Sequence, residues 1–167
     1  MSRDRQSSDY LRGGRRDRLL KELDHDPYHA KVKLAEPTAC PDCGAVYHKG
    51  RWTWDEQPEK SHQQRCPACQ RIHDKVPAAF LVLSGTFRKQ HHDEIHNLIH
   101  NYEERERKEH PMKRIIATES DGDDIVITFT DAHLARGIGE ALHNAYEGDL
   151  DYAYGDGDIM LRVRWAR

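Results

Sequence analysis

The four cysteines of the chain are the residues whose type and spacing most clearly indicate chemistry. They form two C-x2-C pairs, Cys40/Cys43 and Cys66/Cys69, with residues 44–65 between them, and the chain has no other cysteine. A C-x2-C turn aims two thiolates at one ion, and this spacing is typical of a tetrahedral four-cysteine zinc site of the ribbon type. Four thiolates fill the coordination shell, so we predict structural zinc rather than catalytic zinc.

Two disulfides, or a redox-active CxxC, are the alternatives to a zinc site. The doubled motif argues against both, as does the lack of a thioredoxin-like strand and helix around either pair. Gly44 follows the first pair, where the turn requires a positive φ. We predict a zinc ribbon over residues 38–76, which is too small to hold a core without metal.

The segment between the pairs, AVYHKGRWTW, mixes aromatic and basic side chains. It is predicted to form strand, Lys49-Gly50 turn and strand. Aromatic rings stack on bases and cations neutralise phosphates, so the hairpin suits an RNA contact. Alternatively, one tryptophan and Tyr47 pack over the sulfurs as the module's own core. The predicted RNA-binding residues, with two from the preceding segment, are Lys49, Arg51, Trp52, Trp54, Arg15 and Arg16.

Charge is distributed unevenly along the chain. Residues 1–76 hold 15 basic and 12 acidic side chains, a net +3, whereas residues 77–167 hold 11 and 17, a net −6, which together give the total of −3. A polyanionic partner should therefore meet the first half. Residues 1–37 are predicted to be a basic, largely disordered arm with one short helix from Arg15 to Leu23. Such an arm can fold onto RNA, and the alternative is a solvated tail.

Residues 77–167 carry the pattern of an α/β domain. Strands are predicted over 78–85, 113–120 and 124–130, helices over 88–110 and 131–148, and a hairpin over 149–165. Asp131 is the predicted N-cap of the second helix and Gly148 its C′ residue. The order β-α-β-β-α-β, with a hairpin as the last strand, predicts an α+β chain with a ferredoxin-like sandwich. One sheet face should stay open, but it lacks the aromatic motifs of an RRM.

The predicted long helix carries His92, His96 and His100 at four-residue spacing. Such a stripe could bind a second metal, but it flanks the apolar face and has no evident carboxylate support, which favours a solvated face. The sequence has no Gly-x-Ser-x-Gly motif, phosphate loop or Cys-His nucleophile pair. We therefore predict that the protein is not an enzyme.

Apolar segments are short throughout the sequence. No run approaches the ~18 residues of a membrane span, and the start MSRDRQSSDY lacks the apolar region of a signal peptide. These features predict a cytoplasmic protein without a membrane partner.

The residues around the cysteines also resemble a known family. The stretches ACPDCGAVYHKGRWTW, CPACQRI and FTDAHLARGIGEALHNAYEGDLDYAY resemble small bacterial zinc-ribbon proteins. Those proteins are similar to the amino-terminal zinc region of the archaeal and eukaryotic export adaptor of the large ribosomal subunit, named from nonsense-mediated decay. The resemblance implies that the four cysteines bind zinc, that Gly50, Arg51 and Trp52 are motif positions, and that the protein works with ribosomal or other RNA. The adaptor's further zinc-binding cysteines are missing here.

Together these features predict a non-enzymatic zinc protein that contacts structured RNA or a ribosomal particle through its hairpin and arm. The alternative from a different class is a regulatory module whose acidic domain docks a protein partner. A metal-dependent enzyme that uses the histidine stripe is a weaker third hypothesis.

Overall fold

The structure is a computed structural model that describes Tyr28, residues 33–154 and residues 160–167. The predicted arm, including Arg15, Arg16 and the helix expected there, lies almost entirely outside these ranges. Within them, none of the helices combines the length and apolar character that a bilayer crossing requires. The elements in chain order are β1 (Thr38–Ala39), β2 (Val46–His48), β3 (Arg51–Thr53), β4 (His62–Gln63), α1 (Pro67–Asp74), β5 (Ala79–Ser84), α2 (Thr86–Gln90), α3 (His92–Glu109), β6 (Ile115–Asp121), β7 (Asp124–Phe129), α4 (Ala132–Tyr146), β8 (Asp149–Tyr154) and β9 (Leu161–Ala166).

The first four strands form a small sheet in the order β3-β2-β1-β4. Its centre is the predicted hairpin, hereafter the ribbon hairpin (β2 and β3), in which Tyr47 pairs with Trp52 across the strands. Lys49 and Gly50 form the turn with φ values of 51° and 78°, the left-handed conformation of a two-residue hairpin turn. The Glu36 carboxylate accepts hydrogen bonds from both turn amides, at 3.0 and 3.1 Å. The predicted hairpin and its turn are confirmed.

The second cysteine pair continues into a helix, α1, that was not predicted. Cys66 is its N-cap, and the Cys66 sulfur accepts a hydrogen bond from the Cys69 amide at 3.4 Å. Pro67 occupies the first turn, where its missing amide proton is no loss. Lys75 ends the helix in the left-handed conformation. The helix escaped prediction because its eight residues include few apolar positions from which to read a period.

The second sheet has five strands in the order β6-β7-β5-β9-β8. Strand β7 lies between β5 and β6 and is antiparallel to both, while β9 is parallel to β5 and pairs with the edge strand β8. The described residues thus form a mixed α+β structure with two sheets and four helices. The specific ferredoxin-like arrangement is not confirmed, because the strand beside β5 is the last one, β9, and it runs parallel to β5.

Residues 77–154 and 160–167 are hereafter the second unit, and its core lies between the five-stranded sheet and the helices. Alternate residues of the central strands are buried, as the two-residue period of a half-covered strand requires. In the terminal hairpin, Leu150 pairs with Trp165 and Tyr152 with Val163, as the alternating pattern predicts. The largest fully buried side chains of this core are Leu81, Ile95, Ile127, Phe129, Leu134, Ile138, Leu142, Leu161, Val163 and Trp165.

The prediction of one continuous helix from Arg88 to His110 is wrong. The chain forms α2 and α3, separated at His91, whose φ of −113° and ψ of 31° are not helical. The His91 ring stacks on the Phe87 ring with 4.0 Å between centroids. This local ring pairing accompanies the break, and a period count based on apolar residues does not detect it.

The two predicted caps of the last helix are confirmed. The Asp131 carboxylate accepts a hydrogen bond from the Leu134 amide at 2.9 Å. Glu147 is the C-cap of α4, and Gly148 follows it with a φ of 90°. A Cβ on Gly148 would lie 2.6 Å from the Ala166 carbonyl oxygen, so a larger residue would push β9 away. The sharp passage from α4 into β8 therefore depends on this glycine.

Candidate metal centre

The Sγ atoms of Cys40, Cys43, Cys66 and Cys69, hereafter the sulfur cluster, all lie within 4.8 Å of one another. The Cys43 and Cys66 sulfurs are 3.8 Å apart. A tetrahedron with zinc–sulfur bonds of about 2.3 Å has edges of about 3.8 Å. The cysteines are free rather than bonded in disulfides. The arrangement could therefore bind one tetrahedral metal ion, for which zinc is the plausible choice.

Two turns of different kinds hold the cysteines in place. In the first, the Gly44 amide donates to the Cys40 carbonyl at 2.9 Å, and Gly44 has the predicted positive φ, 81°. In the second, the start of α1 supplies the geometry. The Cys66 amide crosses between the two and donates to the Cys40 sulfur at 3.2 Å. Backbone amides aimed at the sulfurs stabilise thiolates, as a metal site requires.

Burial acts differently on the four thiols. It raises the pKa of Cys66 and of Cys69, although the nearby Arg114 guanidinium lowers both. Burial also opposes the thiolate of Cys40, but backbone amides, first that of Cys66, outweigh it and lower the pKa to about 7. Metal ligation requires thiolates, so binding would displace the protons that burial favours.

An arginine from the second unit completes the site. Arg114, just before β6, is 5% exposed, and its guanidinium donates to the sulfurs of Cys69 and Cys43 at 3.1 Å each. The same terminal nitrogen that contacts Cys43 lies 3.5 Å from the Cys66 sulfur. A divalent metal bound by four thiolates forms a site with a net charge of about −2, so a buried cation beside it offsets part of that charge.

The backbone around Arg114 fixes this guanidinium. Its Nε donates to the Pro111 carbonyl at 2.8 Å, and its own amide donates to the Thr130 hydroxyl at 2.9 Å. Burial opposes the charge of Arg114, but the sulfurs, first that of Cys69, raise its pKa further, so it stays protonated. Met112, from the same loop, packs against the buried cysteines. The link from α3 to β6 is therefore part of the wall of the metal site.

Arg114 is the functional residue that sequence reasoning missed. In the sequence it is an ordinary basic residue at the start of a predicted strand, distant from either cysteine pair. Only the packing of the second unit against the ribbon brings it to the sulfurs. The sequence itself carried no signal for this role, because a single arginine gives no period.

The residues predicted to contact RNA are dispersed around the ribbon hairpin. Trp52 packs against the sulfur cluster and contacts Tyr47, with 5.5 Å between ring centroids. Arg51 is exposed, and both Arg51 and Trp52 line a cleft beside the cluster. Lys49 lies at the exposed turn, outside that lining.

Trp54 lies on the other side, toward the second unit. Its indole N–H donates to the Arg107 carbonyl at 2.6 Å, near the end of α3. The Arg114 guanidinium carbon is 5.9 Å from its ring centroid, within reach of a cation–π interaction. Trp54 is nevertheless 38% exposed. It therefore joins the ribbon to α3, and a role in RNA contact stays a prediction for it, as for the other hairpin residues.

The histidine stripe runs along the solvent face of α3. His92, His96 and His100 are all exposed, and successive ring centroids are 6.0 and 6.4 Å apart, with the rings nearly parallel. Among the described residues, the sulfur cluster is the only place where three or more metal-ligand atoms of histidine, cysteine, aspartate or glutamate lie together. The stripe thus has the geometry of stacked surface rings.

Replacing His92, His96 and His100 together by glutamine should leave metal content and fold nearly unchanged. Exposed substitutions away from special features change stability by less than about 0.5 kcal/mol each. Elemental analysis and thermal melting of the triple variant beside the parent protein check this expectation. Loss of a second metal equivalent in the variant would instead support the metal-dependent enzyme hypothesis.

Comparison with known proteins found no protein-family model, no curated protein and no solved structure that matches this chain.

Proposed function

We propose that this chain is a non-enzymatic zinc protein that contacts structured RNA or a ribosomal particle through its ribbon hairpin and basic arm. The observation that carries the proposal is the sulfur cluster, four thiols within 4.8 Å, beside a hairpin with exposed cations. The membership suggested by the resemblance to small bacterial zinc-ribbon proteins is part of the same proposal.

Zinc is proposed as the metal because of the donor set. Four thiolates select zinc or an iron–sulfur centre among common metals, and a ribbon of two knuckles is a usual zinc scaffold. The ion would be structural, since the four sulfurs leave no open coordination position. Cys40, Cys43, Cys66 and Cys69 would hold it, with the Arg114 guanidinium outside them.

RNA is proposed as the partner because of what surrounds the metal site. Arg51 and Trp52 lie on one strand of the hairpin, and Lys49 at its turn, so phosphate-neutralising and stacking groups are close together. Arg15 and Arg16 of the arm would add cations. The acidic second unit, a proposed ferredoxin-like variant, would serve as the scaffold that supplies Arg114.

A protein partner is the second candidate. The sheet face away from the helices carries half-exposed Phe80 and Val82, with Arg162 beside Phe80 at 5.4 Å from its ring centroid. Such a face suits a protein contact as well as a scaffold role. Its contribution would depend little on salt, which separates it from RNA binding.

Replacing Lys49 and Arg51 together by alanine should weaken RNA binding across sequences. For each phosphate contact that is lost, binding releases about one counterion fewer from the RNA. The slope of log affinity against log salt should therefore flatten by roughly one to two units. The measurement is a salt titration against ribosomal RNA, with zinc content determined on the same samples.

The matched control replaces Arg107 and Lys108, two exposed cations on α3, by alanine. It removes the same charge from another surface, so its slope should stay near that of the parent protein. If the hairpin variant keeps both affinity and slope while zinc stays bound, the hairpin does not contact RNA, and protein docking becomes the better proposal.

A further inference from the structure

A cleft of about 710 Å³ lies between the ribbon and the second unit. Its walls come from the ribbon hairpin and from the start of α1, and its floor from Met112, Thr130 and Asp131. The volume falls within the roughly 300–1,000 Å³ typical of small-ligand sites. None of the residues that line it is needed as a metal ligand, so the cleft is a feature separate from the sulfur cluster.

Aromatic rings and arginines meet in this cleft. Tyr28, Tyr47 and Trp52 line it, together with Arg51 and Arg65. Such rings stack on any base because every base has a π-face, and guanidinium groups match the geometry of phosphate oxygens. The combination is the chemistry that recognises a nucleotide.

Charge in the cleft favours an anion. Three arginines line it, Arg51, Arg65 and Arg71, against one acid, Asp131, and when Asp42, which pairs with Arg65, is included the net charge is +1. The Asp131 carboxylate already accepts the Leu134 amide as the cap of α4. An excess of positive charge in a cleft attracts an anion such as a phosphate.

Two of the arginines have distinct tasks. Arg71 is 4% exposed, and its guanidinium lies 4.3 Å from the Tyr28 ring centroid, so it supports an aromatic wall. Arg65 is one-third exposed, and its Nε donates to Asp42 at 2.5 Å. A guanidinium carries four N–H donors besides that one, so Arg65 can hold Asp42 and a phosphate together.

Polar groups for the edge of a base are also present. Gln64 and Gln70 line the cleft, and a side-chain amide offers both donors and acceptors; that of Gln70 already donates to Asp74 at 2.9 Å and keeps its oxygen as an acceptor. Gly50, at the rim, has no side chain, and even an added Cβ would meet nothing within 4 Å. The entrance beside the hairpin turn is therefore open.

We propose that this cleft binds one nucleotide unit, with the base against Tyr47 and Trp52 and the phosphate near Arg51 and Arg65. The inference rests on the proposed function, since it assigns the cleft as the place where an unpaired nucleotide of the RNA enters. The same chemistry would accept a free mononucleotide, so the experiment separates the two sources.

The experiment cross-links the zinc-loaded full chain to a single-stranded RNA hexamer that contains one thiouridine. Photocrosslinks mapped by mass spectrometry should fall on Tyr47, Trp52 or Tyr28, and excess uridine monophosphate should reduce them if free nucleotides also enter. A fully paired duplex, which offers no unstacked base, should cross-link poorly. Crosslinks concentrated on the open sheet face, at Phe80, would overturn the proposal.

A matched pair of variants tests the phosphate contact. Arg65→Gln should weaken binding of the hexamer roughly tenfold, the effect of one lost charge-assisted hydrogen bond. Arg136→Gln is the control, because Arg136 is similarly exposed and also pairs with one carboxylate, that of Glu140. Equal losses in the two variants would refute the cleft, with zinc content confirming that both are folded.

The outcomes also separate the cleft from the proposed function. If RNA binds strongly but does not cross-link to the cleft and is not weakened by Arg65→Gln, the proposed function stands and this inference is removed. Binding of the mononucleotide without RNA binding keeps the ligand class and makes the free nucleotide its source. Binding of neither removes both proposals.

Discussion

Replacing Cys66 by serine should cost the protein its metal and unfold the ribbon. Cys66 is fully buried, and it serves both as a cluster ligand and as the N-cap of α1. A hydroxyl is a poor zinc ligand, and a ribbon of this size folds only with its metal, for which apparent binding free energies are about 10–16 kcal/mol. Zinc should fall from about one per chain to near zero after dialysis, by elemental analysis.

The same variant should leave most of the second unit folded, since its core lies between β5–β9 and the helices. Amide exchange should show residues 38–76 unprotected while the central strand β5 stays protected. The control is Ser61→Ala, a change within the ribbon at a residue whose hydroxyl donates to the nearby Pro58 carbonyl at 2.7 Å. A Cys66→Ser protein that retains stoichiometric zinc would contradict the site.

Replacing Arg114 by methionine should weaken zinc binding by about 10- to 100-fold, the usual effect of removing a hydrogen-bond partner outside the ligands. The sulfurs of Cys43 and Cys69 would lose their donor, and a buried excess of negative charge would remain. The zinc affinity of Arg114→Lys should fall between those of the parent protein and of Arg114→Met, because a lysine keeps the charge but lacks the forked guanidinium that reaches three sulfurs. Competition with a chromophoric chelator measures the affinity.

A second buried arginine supplies the control for Arg114. Arg88 is 7% exposed and donates to the Asp123 carbonyl, remote from the cysteines. Arg88→Met should lower the free energy of unfolding of the second unit without changing zinc affinity. If the two methionine variants bind zinc equally well, Arg114 supports only the fold, and the electrostatic account of the site is wrong.

The sequence was informative wherever one local rule decided the outcome. The cysteine spacing, the Lys49-Gly50 turn and the Asp131 cap depend on neighbouring residues, and the structure has all three. The helix break at His91 and the strand order did not follow from such rules. The helix break coincides with a ring contact between Phe87 and His91 that apolar periodicity does not detect. The strand order depends on which strand β9 pairs with, a choice between packings of similar local pattern.

The candidate site divides in the same way. Its ligands were readable from their motif, but Arg114 and Arg65 were not, because each acts through residues distant in sequence. Arg65, just before Cys66, pairs with Asp42 of the first cysteine turn, and Arg114 reaches the sulfurs from the second unit. Trp52 and Trp54, which the sequence treats alike, face different surroundings because one stays on the strand and the other follows it.

The parallel pairing of β5 with β9 sets the order in which the chain can mature. Ala79 pairs with Leu161, so the centre of the five-stranded sheet stays incomplete until the last strand arrives. Closing the long loop between β5 and β9 is slow. Until β9 pairs with it, the uncovered edge of β5 is prone to associate with other chains. The cysteine motif precedes β5 and needs no such wait. Metal can therefore reach the cysteines of a nascent chain before Arg114, 45 residues after Cys69, has been synthesised, and the newest chains should be the ones most easily stripped of zinc.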